Sequence, residues 1–130
     1  MSSILTSAPT HGLRRWYAVL AGIGWWMVHL TVGASLVRAS CLHPSLRWAL
    51  HANTAVCALG TIVAVVWSVA AIRSARAVAG DGRLHDPDGT SGVDRELFLG
   101  LFGLAVGVMS LLLILWEGAY VVAFSSCTVA

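Results

Sequence analysis

The feature that most constrains this chain is the stretch from Leu97 to Phe124, 28 residues in which Glu117 is the only charged side chain. A helix needs about 20 mostly apolar residues to cross a hydrocarbon core of about 30 Å, so this stretch is long enough to span a bilayer. Small and polar side chains recur along it at spacings of three and four, which places them on one helix face. These positions are Gly100, Gly103, Gly107, Ser110, Ile114 and Glu117. The stretch therefore predicts a transmembrane helix, and Gly100, Gly103, Gly107 and Ser110 form a glycine seam that packs against other helices, because membrane helices associate by close backbone approach.

Composition places the whole chain in the membrane class. Its residues are 58% hydrophobic and only 11% charged, whereas soluble domains carry about 25% charged residues. The net charge of +2 is small, and no basic run interleaved with aromatic residues is present, so the electrostatic footprint of a nucleic-acid-binding protein is missing. The sequence has no glycine-rich phosphate loop, zinc-type ligand spacing or nucleophile-with-base motif. We therefore expect neither an enzyme nor a metal site.

Two more apolar stretches give an all-α membrane protein with three transmembrane helices. Loose chain is expected up to Leu13, Pro44 should turn the chain, and Ser45 and Asp94 are candidate N-caps of the second and third helices. The predicted segments are a cytoplasmic tail (1–15), transmembrane helix 1 (16–37), an outer loop (38–47), transmembrane helix 2 (48–72), a cytoplasmic loop (73–93), transmembrane helix 3 (94–124) and an outer C-terminal segment (125–130).

Arginine positions predict the orientation of these helices. Six arginines lie in the tail or in the second loop with the start of the third helix: Arg14, Arg15, Arg73, Arg76, Arg83 and Arg95. The first loop has only Arg38 and Arg47. Because arginine-rich loops stay on the cytoplasmic side, we expect an up-down-up bundle with the N-terminus inside and the C-terminus outside. Aromatic side chains at the two ends are typical of interfacial belts: Trp16 and Tyr17 at one end, and Trp48, Trp116 and Tyr120 at the other.

Three ionisable side chains fall within the predicted spans, towards their outer ends: His29, His51 and Glu117. An ionisable group at membrane depth is costly unless it is paired, neutral or hydrated. His51 begins a second face of small and polar residues, which continues through Thr54, Ala58, Thr61, Val65 and Ser68. We therefore expect His29, His51 and Glu117 to meet as one polar layer inside the bundle.

The chemistry of this polar layer is open to three interpretations. In the first, the side chains satisfy one another, with hydrogen bonds completed by Thr54, Asn53 or Thr31. In the second, His29 and His51 are axial ligands of haem b, each with its other ring nitrogen hydrogen-bonded. In the third, a carboxylate relays protons at a quinone or proton site near the outer surface. The first interpretation needs no cofactor.

The cysteines predict one covalent link. The expected topology places Cys41 and Cys127 on the same outer side, which in a bacterium is oxidising, and we expect a disulfide between them. Two free thiols or a bridge between subunits are the alternatives, because the distance between the two Cα atoms cannot be read from sequence. Cys57 lies within the second span and is expected to be an ordinary small buried residue.

Several short features resemble one group of proteins. They are the run Trp26, Met27, Val28, His29 and Leu30, then Cys41, a glycine-rich third span that rises into Leu111 to Leu115, and a cysteine close to the end. Together they resemble small three-helix membrane proteins that are encoded beside bacterial haem-copper cytochrome oxidase genes, although Glu117 departs from the uncharged residue usual there. The resemblance implies a non-catalytic accessory or assembly subunit that packs against larger integral membrane subunits and lipid in the bacterial inner membrane. A small haem b- or quinone-binding membrane protein that uses His29, His51 and Glu117 is the alternative.

Overall fold

The computed structural model describes residues 8–80 and 92–123, which form three long helices. Helix α1 covers Ala8–Leu42, α2 covers Arg47–Gly80 and α3 covers Gly92–Ala123. Within the described ranges, only His43 lies outside a helix and no strand occurs. All three helices are long and apolar enough to cross a membrane, over Gly12–Leu42, Pro44–Val78 and Gly92–Val121. The predicted all-α fold with three transmembrane helices is confirmed, and the chain is a multi-pass membrane protein.

The first helix begins earlier than the sequence predicts. The expectation of loose chain up to Leu13 is wrong from Ala8 onward, where α1 starts. Pro9 is compatible with this start because the first N–H groups of a helix have no acceptor within it, so the missing N–H of proline costs nothing there. Residues 1–7 of the predicted tail lie outside the described residues.

A tight connection joins α1 to α2. His43 has an extended backbone (φ −133°, ψ 92°), which is the conformation that a following proline favours. A single 3₁₀ turn, Pro44–Leu46, then leads directly into α2 at Arg47. The turn predicted at Pro44 is therefore confirmed, but Ser45 lies within the 3₁₀ turn and does not cap α2.

The other helix ends also depart from the predicted boundaries. Helix α2 continues about two turns past Ile72 to Gly80, because alanine and arginine in this segment are strong helix formers. Helix α3 begins at Gly92, so Asp94 lies in its first turn and is not the N-cap. A carboxylate in the first turn still stabilises the helix through the helix dipole. Residues 81–91 of the predicted loop lie outside the described residues.

The helices pack through small side chains. Residue numbers increase in the same direction along the contacts between α1 and α3: Ala18 with Gly103, Gly22 with Gly107, and His29 with Glu117. Contacts of α1 with α2 run in the reverse order: Ala18 with Ser68, Trp25 with Gly60, and His29 with Thr54. The interior contains few large residues, and the buried positions include Cys57, Thr61, Ala64, Ser68, Ser110 and Ile114. Close backbone contact, and not a thick apolar core, therefore holds the three helices together.

Gly103 shows why glycine is required on this face of α3. A Cβ atom at this position would lie 2.6 Å from the backbone oxygen of Ala18 and 2.8 Å from the Ser68 hydroxyl. The hydroxyl of Ser68 also donates to the Ala18 oxygen over 3.4 Å. Backbone atoms of α1 cannot move aside without the whole helix, so glycine at this position sets the separation of α1 and α3. The seam residues Gly100, Gly103, Gly107 and Ser110 are all buried.

Candidate functional site: a buried histidine and carboxylate pair

The candidate site lies where the three helices bring His29, Thr54 and Glu117 together. His29 on α1 is 7% exposed. Its Nδ1 is 3.1 Å from Glu117 Oε2 on α3, and its Nε2 is 3.1 Å from Thr54 Oγ1 on α2. Both ring nitrogens are thus engaged by side chains of the two other helices. The side chain of Glu117 is one-third exposed, so the pair reaches the surface of the bundle through the carboxylate.

The hydroxyl of Thr54 determines where the ring protons of His29 lie. Thr54 Oγ1 is also 3.1 Å from the backbone oxygen of Leu50, which can only accept a hydrogen bond. If the single hydroxyl proton is donated to Leu50, then Thr54 accepts from His29 and Nε2 carries a proton. Because a carboxylate only accepts, a hydrogen bond from Nδ1 to Glu117 then requires one further proton between them. The pair is overall neutral whether that proton is on the imidazole or on the carboxyl group, and every donor is satisfied in both cases.

A second set of contacts fixes the α1 backbone beside this pair. Asn53 Nδ2 donates to the backbone oxygen of His29 over 3.2 Å, and the Cys57 thiol lies 3.7 Å from Asn53 Oδ1. Gly118 permits the approach of α2, because a Cβ atom there would lie 2.5 Å from Thr54 Cγ2. Of the hydrogen-bond partners expected around the histidine, Thr54 and Asn53 contact it. Thr31 instead donates to the backbone of its own helix, at Met27.

His51 does not join the group. It is exposed, whereas its neighbour Leu50 is buried. Since each residue turns a helix by about 100°, a side chain next to the buried Leu50 points well away from the bundle interior. The buried face of α2 continues instead through Cys57, Thr61, Ala64 and Ser68. The prediction that His51 belongs to the polar layer is therefore wrong. Of the three predicted residues, the structure brings together only His29 and Glu117.

The haem interpretation does not fit these side chains. A haem ligand needs one ring nitrogen free for iron while the other is hydrogen-bonded. Both nitrogens of His29 lie within hydrogen-bond distance of protein atoms, and His51 is on an exposed part of α2. Among the described residues, no group of three or more His, Cys, Asp or Glu side chains could hold a metal ion.

A second polar chain, which the sequence does not reveal, connects α1 to α2 through aromatic side chains. Trp25 Nε1 donates to the Tyr17 hydroxyl over 2.9 Å, and this hydroxyl donates to the backbone oxygen of Gly60 over 3.1 Å. The Tyr17 ring also contacts the Trp67 ring edge-on, with 5.0 Å between centroids. Tyr17 is therefore turned into the bundle and is wrongly assigned to an interfacial belt, whereas Trp16 is exposed. The only sequence signal is Gly60, whose missing side chain leaves space for the Trp25 ring.

The cysteines can be placed only in part. Cys57 on α2 is a free and buried thiol, in agreement with the prediction of a small buried residue. Cys41 lies near the end of α1 on an exposed position. Cys127 lies outside the described residues, so the Cys41 to Cys127 disulfide stays a prediction.

Comparison with known proteins gives no relative of this chain. No protein-family model, curated protein or solved structure matches it.

Proposed function

We propose that this chain is a non-catalytic accessory or assembly subunit of a bacterial respiratory membrane complex of the terminal oxidase type. In this proposal it lies in the inner membrane with the N-terminus in the cytoplasm, as the six-to-two distribution of arginines predicts. It packs against larger integral membrane subunits and lipid. The short sequence features that resemble proteins encoded beside oxidase genes support the class of complex.

One observation supports the accessory role most strongly: the buried histidine and its neighbours satisfy one another inside the bundle, while large apolar side chains face outward. His29, Thr54 and Glu117 satisfy one another without a further molecule. The surface of α3 opposite the glycine seam is exposed throughout: Phe98, Leu101, Phe102, Met109, Leu112, Leu113 and Trp116. We call these seven residues the outer face of α3. A polar site that is satisfied within the bundle, together with a wide apolar exterior, suits a packing subunit, because its binding surface must be its outside.

The experiment that tests this proposal removes the chain from its host. We expect the membranes of the deletion strain to contain less assembled oxidase, seen as smaller haem bands in reduced-minus-oxidised spectra, while transcripts of the large oxidase subunits are unchanged. Expression of the wild-type chain should restore the bands. A deletion strain with wild-type haem bands and oxygen consumption would contradict the proposal.

A quinone or proton site at the same pair is the second candidate function. The observation that favours it is the 3.1 Å contact between His29 Nδ1 and Glu117 Oε2, together with the one-third exposure of the carboxylate. A quinone could exchange a proton with this pair from the membrane side. Glu117→Gln keeps the size of the side chain but removes its acid-base chemistry. If the second candidate is correct, this variant accumulates normally but loses quinone that co-purifies with the wild-type protein, whereas the accessory role predicts that no quinone co-purifies with either.

A visible spectrum of the purified chain separates both candidates from a haem protein. The geometry of His29 predicts a colourless protein. A Soret band that is lost in both His29→Ala and His51→Ala would show that haem binds in an arrangement other than the one described.

A further inference from the structure

A cavity of about 690 Å³ lies between the three helices at the end of the bundle that carries the arginines. It is lined by the first turns of α1 and α3 and the last turns of α2. This volume is within the range of small-molecule sites, about 300–1,000 Å³. The lining of the cavity contains neither His29 nor Glu117. It is therefore a separate feature.

The lining of this cavity divides into an apolar wall and a charged rim. The wall is built of short side chains: Ala18, Val19, Ala70, Ala71, Ala75 and Val78. The rim carries Arg14, Arg15 and Glu96, which sum to one net positive charge (two minus one). Along α1 the lining runs from Gly12 to Val19, about 10 Å of helix, so the cavity reaches from the helix ends into the apolar part of the bundle.

Arg14 and Arg15 differ in the contacts that their guanidinium groups already make. Arg15 pairs with Glu96 through Nη2, but its Nε is buried and has no hydrogen-bond partner. A buried N–H without an acceptor is energetically unfavourable. The guanidinium carbon of Arg14 lies 5.9 Å from the centroid of the Trp67 ring, and no ion pair of Arg14 is recorded within residues 8–80 and 92–123. The rim therefore offers donors for an anion.

We propose that this cavity binds an anionic phospholipid, with its phosphate at Arg14 and Arg15 and the start of an acyl chain against the alanine wall. A phosphate anion explains the charged rim, and basic pockets between transmembrane helices are known to take lipid head groups. A soluble phosphate would satisfy the same arginines, but it would leave the apolar wall without a function. The combination of charge and depth thus favours a lipid over a free anion.

The test is native mass spectrometry of the full chain from nanodiscs made of equimolar phosphatidylglycerol and phosphatidylcholine. We expect the wild type to retain phosphatidylglycerol preferentially. Arg14→Gln should lower this retention about fivefold, the equivalent of about 1 kcal/mol for one basic residue at a lipid head group. Arg95→Gln is the matched control, because Arg95 lies at the same end of the bundle but does not line the cavity.

A second pair of variants tests the apolar wall and distinguishes the source of the anion. Ala71→Phe should fill the cavity and abolish preferential retention, whereas Ala77→Phe, an exposed position outside the lining, should not. Inorganic phosphate should fail to displace the lipid. If phosphate displaces it and Ala71→Phe has no effect, the site holds a soluble anion at its rim and the lipid proposal is wrong. Equal retention by Arg14→Gln and Arg95→Gln would also overturn it.

Discussion

Replacing Gly103 tests whether the glycine seam binds within the bundle. A Cβ atom at Gly103 would lie 2.6 Å from Ala18 O, whereas carbon and oxygen normally approach to about 3.3 Å. Even alanine therefore requires α1 and α3 to separate by roughly 0.7 Å, and a gap of this size loses about a quarter to a half of the dispersion energy of the atoms on either side. Overpacking of this kind costs about 1–3 kcal/mol, partly offset by the gain of about 1 kcal/mol from alanine in a helix.

We therefore expect Gly103→Ala to lower the thermal stability of the detergent-solubilised protein and Gly103→Leu to prevent its accumulation in the membrane. Gly24 supplies the control, because no atom lies within 4 Å of a Cβ atom built there. Gly24→Leu should accumulate like the wild type. The measurements are membrane yield and melting temperature in one detergent. A Gly103→Leu protein that accumulates as a stable monomer, with the same melting temperature as Gly24→Leu, would refute the internal packing of α3.

Three further predictions concern the polar pair, the cysteines and the orientation. His29→Leu and Glu117→Leu should each destabilise the protein by about 1–3 kcal/mol, because each strands the other polar group; the double variant should lose less than the sum, and simple additivity in melting experiments would contradict the pairing. Non-reducing mass mapping should find Cys41 linked to Cys127, with Cys57 the single alkylatable thiol after unfolding; two alkylatable thiols at Cys41 and Cys127 would rule the linkage out. Reporter fusions in the 73–93 loop should be cytoplasmic, and a periplasmic loop would reverse the orientation.

The helices and the packed face of α3 follow from the sequence because both depend on local pattern. Length and apolar composition suffice to identify a membrane helix. Spacings of three and four then place Gly103 and Glu117 on one face, and that face is the one directed towards α1 and α2. The pairing of Glu117 with a histidine follows from the cost of leaving a carboxylate alone in an apolar bundle.

Other features escape sequence reasoning because they depend on helix rotation and on contacts between distant residues. His51 shares its helix face with Thr54 only approximately, and a difference of less than one residue in rotation moves it to the surface. Tyr17 is next to the exposed Trp16 in sequence. The sequence therefore does not show whether its side chain lies in an interfacial belt or in the bundle interior, where it donates to Gly60. The start of α1 is also difficult to predict, because Pro9 usually interrupts helices but is acceptable in a first turn.

The most direct test of the accessory role is site-specific photo-crosslinking in native membranes. Crosslinkers at Met109 and Leu112 report on the outer face of α3, where these side chains are 63% and 59% exposed. Crosslinkers at Leu59 and Val66, which are exposed on α2, serve as matched positions on another helix. We expect Met109 and Leu112 to form adducts with a large subunit of a terminal oxidase, identified by mass spectrometry, at a higher yield than the α2 positions. Adducts with lipid alone from all four positions would contradict the account.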